Sequence, residues 1–224
     1  MRKMILVLTI ISIPCLSSLI TGCAAGQMAY QPPSQHAQTN IKTIDKPLDE
    51  VWKNAVSNLG KQFFVINNID KSSGLINVSY NGSPEKYIDC GQLSSHVENL
   101  RGTRDYNFSG SKEYQEYEVM TNGIGGELWL VKRKMSLEGR INLIFEATTK
   151  NQTRITANTR YVVIKDIQLF SPGRSIAGMN GSTVNFHDSI SFNSGNEAVK
   201  FTGNSPTECK ATGALEKEIL ELIN

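Results

Sequence analysis

The run Ile141-Asn142-Leu143-Ile144-Phe145-Glu146-Ala147-Thr148 decides how the rest of the chain is read. Ile141, Leu143, Phe145 and Ala147 fall on one side of an extended backbone; Asn142, Ile144, Glu146 and Thr148, mostly polar, fall on the other. Successive strand side chains point to opposite faces, so the pattern predicts an antiparallel strand with one face buried and one in water.

Working outward, similar segments occupy 114–121, 127–137, 140–149 and 154–169. Their connectors carry turn residues: Asn122-Gly123-Ile124-Gly125-Gly126, then Glu138-Gly139, then Lys150-Asn151-Gln152. An antiparallel meander follows. After it, Gly173, Gly178 and Gly181 loosen a Ser-rich stretch over 171–182, predicted to be a mobile loop, and a last strand spans 183–192.

Toward the N-terminus, Leu48, Val51, Trp52, Ala55, Val56 and Leu59 recur at three- and four-residue intervals, the mark of a helix with one apolar stripe. Pro47, Asp49 and Glu50 suit its start and Gly60 its end. Residues 62–69 and 75–80, joined by a turn over 70–74, read as a β-hairpin, and 85–90 as a short strand. Residues 91–113 are polar and weakly patterned, which predicts a long loop. Beyond Cys209, Leu215, Ile219, Leu222 and Ile223 line one side of a second helix whose Glu216, Lys217 and Glu221 face water. The expected class is α+β: a curved antiparallel sheet with an N-terminal and a C-terminal helix packed on one face, in a single domain over 41–224.

The first residues are of another kind. Arg2 and Lys3 precede an apolar core over 4–13, and Leu19-Ile20-Thr21-Gly22-Cys23 closes the run. This reads as a bacterial lipobox: a signal peptide over 1–22 cleaved between Gly22 and Cys23, with the Cys23 thiol taking a diacylglyceryl group and its fatty acyl chains, palmitate among them. A spanning helix needs about 20 apolar residues, and Ser12, Pro14, Ser17 and Ser18 interrupt a shorter run. In bacterial lipoproteins Asp after the Cys favours the inner membrane; here Ala24 points to the outer membrane. Two or three acyl chains anchor almost permanently. Residues 24–40, rich in Gln, Ala, Ser, Pro and Asn, complete a lipidated N-terminus and flexible tether over 23–40.

Cleavage removes Arg2 and Lys3, so 23 basic residues become 21 against 21 acidic ones. A neutral body argues against nucleic acid, whose phosphates need clustered cations. The densest basic cluster, Lys132-Arg133-Lys134, reads as a solvated strand edge. Of four cysteines, Cys15 leaves with the signal and Cys23 carries lipid. Cys90 and Cys209 remain, 119 residues apart, and in an oxidising periplasm they are expected to form a disulfide.

Val51-Trp52 to Leu59-Gly60, Phe64-Val65-Ile66, Asp70, Gly74-Leu75-Ile76 and Val78-Ser79-Tyr80 together resemble the helix-grip module of the BamC family of outer-membrane lipoproteins. The resemblance covers roughly residues 45–80. It implies a helix gripped by a curved sheet and, more distantly, a role in envelope assembly. Cys90 and Cys209 are not part of the family pattern.

No catalytic residues emerge. His36 falls in the tether, His96 has Glu98 nearby, and His187 precedes Asp188, which a strand would turn to the opposite face. There is no Gly-x-Ser-x-Gly elbow, and the glycine run at 123–126 lacks the Lys and Ser or Thr of a phosphate loop. Glu116 and Glu118 share a strand face and read as solvated surface. No metal or cofactor is expected. The sequence therefore predicts a non-enzymatic, lipid-anchored outer-membrane protein facing the periplasm, whose domain serves envelope proteins as an interaction or structural module. The alternative is a carrier of a lipid or small apolar ligand in a helix-grip cavity lined by Phe63, Phe64, Phe145 and Phe186.

Overall fold

The computed structural model describes residues 25–34, 39–62, 64–121, 126–172, 181–195, 197–202 and 207–224. Thirteen strands and two helices follow in order: β1 Ala25–Gln31, β2 Ile41–Ile44, α1 Leu48–Leu59, β3 Val65–Asp70, β4 Leu75–Gly82, β5 Ile88–Asp89, β6 Gln92–Asn99, β7 Gly102–Ser109, β8 Tyr114–Met120, β9 Leu128–Thr149, β10 Gln152–Ser171, β11 Ser182–Asn193, β12 Val199–Lys200, β13 Glu208–Ala211 and α2 Ala214–Glu221.

The spine is the β9–β10 hairpin, two strands of 22 and 20 residues. At about 3.3 Å per residue such a strand reaches up to roughly 70 Å. The segment read as two strands with a turn at Glu138-Gly139 is one strand, because alternation never breaks: Val131, Arg133, Met135, Leu137, Gly139, Ile141, Leu143 and Phe145 are all buried on one face. Gly139 serves close approach and not reversal. A Cβ there would lie 3.1 Å from Leu215 Cδ2 on α2.

Near the β9–β10 turn, the proximal half, β4 pairs with β9 and β2 with β10, and β3 extends beyond β4. Toward the other end, the distal half, β8 and β11 take those two edges. A three-stranded sheet, β1-β6-β7, and a small one, β12-β13-β5, complete the structure.

The expected α+β, helix-grip-like class is therefore corrected. Strands hold 62% of the described residues and helices 11%, in three antiparallel sheets. Two stretches account for the difference. Residues 91–113, read as a loop, form the β6–β7 hairpin, with Asn99 facing Gly102 across the Leu100-Arg101 turn. Residues 25–31, assigned by composition to the tether, pair as β1 with β6, Ala25 opposite Glu98 and Gln31 opposite Gln92. Gly26 permits this: a Cβ there would stand 2.2 Å from the Met120 carbonyl oxygen of β8. The added sheet covers the distal inner face.

The proximal inner face is covered by the two helices. Val51, Trp52, Ala55 and Leu59 of α1 and Leu215, Ile219 and Leu220 of α2 join Ile76, Val78, Leu137, Ile141, Leu143, Phe145, Ile155 and Ala157 in one apolar core. Trp52 meets Phe145 edge-on at 5.1 Å. Glu216, expected in water, is 1% exposed, and both its carboxylate oxygens accept from the Tyr161 hydroxyl at 2.7 Å. Burial, reinforced by that carboxylate, pushes the Tyr161 phenol far up. In the β3–β4 turn, hydrogen bonds from Ser72 and Ser73 lower Asp70 to about 2. The Cys90–Cys209 disulfide forms as expected and joins the start of the β6–β7 hairpin to β13.

Candidate functional site

The outward face of the distal sheet is an array of facing side chains set by register. One row runs Tyr114, Lys134, Asp166, His187; the next runs Glu116, Lys132, Gln168, Asn185. Residues directly opposite in an antiparallel pair share a face, so these rows stand side by side in water. All of these but Glu116 line an open concavity of about 430 Å³, together with Ile167 and Phe186. His187 Nδ1 lies 2.6 Å from Asp166 Oδ1. Tyr114 donates to Glu116, Lys132 Nζ is 3.8 Å from Glu116, and Gln168 donates to Asn185 at 3.2 Å.

A second open concavity, about 370 Å³, lies on the outer face of β1-β6-β7 and has a similar centre. His96 Nδ1 lies 2.7 Å from Asp105 Oδ1, again a pair directly across two strands. In neither case is the partner the acidic neighbour close in sequence. Asp188 instead accepts from Thr202 at 2.9 Å. Exposed contacts of this kind contribute little stability, but each concavity presents donors, acceptors and a carboxylate within a few ångströms.

The polar face continues proximally as a row of amides. Asn67 donates to Asn77 at 2.8 Å, Asn77 to Asn142 at 2.6 Å, Asn142 faces Asn158, and Asn40 donates to Asn158 at 3.1 Å. The register shift between Ile66 and Asn68 brings Asn67 to this face. The outer surface of the long sheet is thus hydrogen-bonding along most of its length.

Gly22, Cys23 and His36 lie outside the described residues, as does Phe63. The other phenylalanines assigned to a carrier cavity do not converge: Phe145 packs on Trp52, Phe64 lies 6.5 Å from Tyr80, and Phe186 is 53% exposed on β11. Glu116 and Glu118 have separate partners, Glu118 being bound by Arg104 of β7. The Lys132-Arg133-Lys134 cluster is not an edge. β9 is central, flanked by β8 and β10, so Lys132 and Lys134 face water while Arg133 is buried. The signal for Arg133 was the uninterrupted two-residue period from Val131 to Phe145, hidden by the turn assigned to Gly139. Among the described residues no group of three His, Cys, Asp or Glu is placed to hold a metal, and no helix is long and apolar enough to cross a membrane.

The chain matches no protein-family model, no curated protein and no solved structure.

Proposed function

We propose that this protein is an outer-membrane lipoprotein, anchored through Cys23 and facing the periplasm, whose β body is a non-catalytic interaction module of the cell envelope. The observation that carries this reading is the start of β1 at Ala25, two residues after Cys23. Two residues span at most about 7 Å of chain, so the lipid attaches directly to a sheet. Ala25 pairs with Glu98, beside the β6–β7 turn, where Leu100 is 99% exposed and Arg101 is also exposed. An exposed leucine beside an arginine suits an acyl boundary lined by phosphate headgroups. The distal end of the ribbon thereby rests at the membrane and the proximal end projects away. The disulfide fits an oxidising compartment. The long polar face, with Lys132, Lys134 and His187, is left to bind envelope partners.

The test is incorporation of labelled palmitate with fractionation of cells carrying the wild type or Cys23→Ala. Label and outer-membrane recovery in the wild type, both lost in the variant, support the reading. An unlabelled wild type, or a variant that stays in the outer membrane, overturns it.

A further inference from the structure

Arg133 lies on the inner face of β9, between the long sheet and its β1-β6-β7 cover, and is 1% exposed. Neither terminal guanidinium nitrogen has a hydrogen-bond partner among the described residues. Taking a guanidinium out of water without a counter-charge costs several kcal/mol, so Arg133 is an expensive residue to bury here.

Arg104, in the same half of the molecule, is met by an acid, although its Nη2 also has no hydrogen-bond partner among the described residues. Its Nε donates to the Glu118 carboxylate, and its Nη1 donates to the Gly102 carbonyl at 2.8 Å and to Asn99 at 3.1 Å. Nothing equivalent serves Arg133. All 21 Asp and Glu of the sequence lie among the described residues, and none bonds it. The groups that offset its burial are the Tyr117 and Tyr30 phenols. Tyr30 is itself engaged with the Glu208 backbone at 3.0 and 3.1 Å. The two acids that act on Tyr30 have other partners: Glu208 lies 3.8 Å from Lys200, and Asp89 accepts from the Gly91 N–H at 2.8 Å.

A second buried cation stands beside the first. Lys165 of β10 is 3% exposed, its Nζ lying 3.9 Å over the Phe201 ring. Lys165 faces Met135, and Arg133 faces Ile167. The two cations are therefore diagonal neighbours on one face, a spacing of about 7–8 Å or a little less, within reach of long side chains. Asp188 is the acid that acts on Lys165, and it also accepts from Thr202. Two buried cations thus stand side by side, and no acid among the described residues bonds to Arg133.

We infer that Arg133 and Lys165, with the Tyr117 and Tyr30 phenols near Arg133, form a buried binding site for a small oxyanion of the phosphate class. The guanidinium fork matches two oxygens of such an ion, and the ammonium supplies a point charge to a third. The oxyanion is either a free ion or the headgroup of an anionic lipid. The site is independent of the lipid anchor and of the polar outer face.

The test uses the full, disulfide-bonded chain and inorganic phosphate. Thermal unfolding is followed over about a hundredfold range of phosphate against chloride at matched ionic strength. Phosphate stabilises proteins generally by exclusion from their surface, so the site is read from the difference between wild type and Arg133→Met. The wild-type midpoint is expected to climb with phosphate well beyond that of the variant, and the variant to be at least as stable as the wild type in chloride. Arg133→Lys keeps one charge and is expected to keep a weakened response, which maintains the test should Arg133→Met fail to fold. Native mass spectrometry of the wild type distinguishes the sources: an added mass of about one phosphate marks a free ion, and a phospholipid mass marks a headgroup. Equal phosphate responses in the wild type and in whichever variant folds, with no anionic adduct on the wild type, overturn the inference.

Discussion

The proximal and distal halves of the β9–β10 ribbon share two strands and one alternation, yet they are covered by different things. The proximal inner face is roofed by α1 and α2 over a continuous apolar core in which the buried polar pair, Tyr161 and Glu216, is mutually satisfied. The distal inner face is roofed by a sheet over a small cluster, Leu93, Phe108, Tyr117 and Val131, and buries Arg133 with no carboxylate to meet it. A helix brings a closely packed apolar stripe, while a short sheet with one wet face brings fewer large side chains. The proximal half is thus suited to hold the fold, while the proposed anion site and membrane contact both fall in the distal half.

The sharpest break of this contrast is in the proximal core. Trp52→Ala removes the ring packed edge-on against Phe145 and is expected to cost about 3–5 kcal/mol in urea unfolding. Val131→Ala, in the small distal cluster, is expected to cost about 1–3 kcal/mol. Equal losses would remove the distinction. Reducing Cys90–Cys209 opens a 119-residue loop and is expected to cost about 2–5 kcal/mol. Because Cys90 precedes β6, amide exchange on reduction should rise most in β6 and β7; a uniform rise would show that the disulfide does not tie down the distal cover in particular.

Glu216→Ala leaves the buried Tyr161 hydroxyl without its acceptor and is expected to lower stability by about 1–3 kcal/mol. Glu216→Gln, which keeps an acceptor oxygen, should lose less. Lys165 gives a pH signature in phosphate-free buffer. Burial, with Arg133 nearby, lowers its ammonium to about 8, below the roughly 10.4 of an unfolded lysine. The folded state therefore releases that proton first. Between about pH 8 and 10 the unfolded chain binds more protons and stability rises with pH, on the order of 1–2 kcal/mol, before the raised Tyr30 and Tyr117 phenols reverse the trend. Lys165→Met should flatten the rise. Smallest of all, Lys132→Ala and Lys134→Ala on the exposed outer face should stay within about 0.5 kcal/mol of the wild type in urea unfolding.

Much of the proximal half was legible. The α1 stripe, the β3–β4 hairpin around Asp70 and the apolar side of α2 stand where periodicity places them, because their apolar residues are large and regularly spaced. The distal half was not, for a physical reason. β6 and β7 bury Leu93, Ser95, Val97 and Phe108 and otherwise carry Gln92, His96, Glu98, Arg104, Asp105 and Asn107, so half the period-two signal is polar and one buried position is a serine. β1 buries little of its own and is held by backbone pairing and by the missing side chain of Gly26. Gly139 misled because a glycine for close packing and a glycine for a turn look alike in one dimension. Cross-strand pairs such as His187 with Asp166 depend on register, which no local window contains. The disulfide was legible because only two cysteines were left to pair once the signal and anchor were set aside.

The most direct measurement compares the two ends of the ribbon on a bilayer. The lipidated protein is reconstituted in vesicles containing brominated phospholipid, with an environment-sensitive fluorophore on Leu100→Cys at the β6–β7 turn or on Asn151→Cys at the β9–β10 turn. The expected result is strong quenching at position 100 and none at position 151, since the ribbon separates that turn from the distal end by up to roughly 70 Å. Equal quenching at both positions, or quenching at 151 alone, would contradict a distal end held at the membrane.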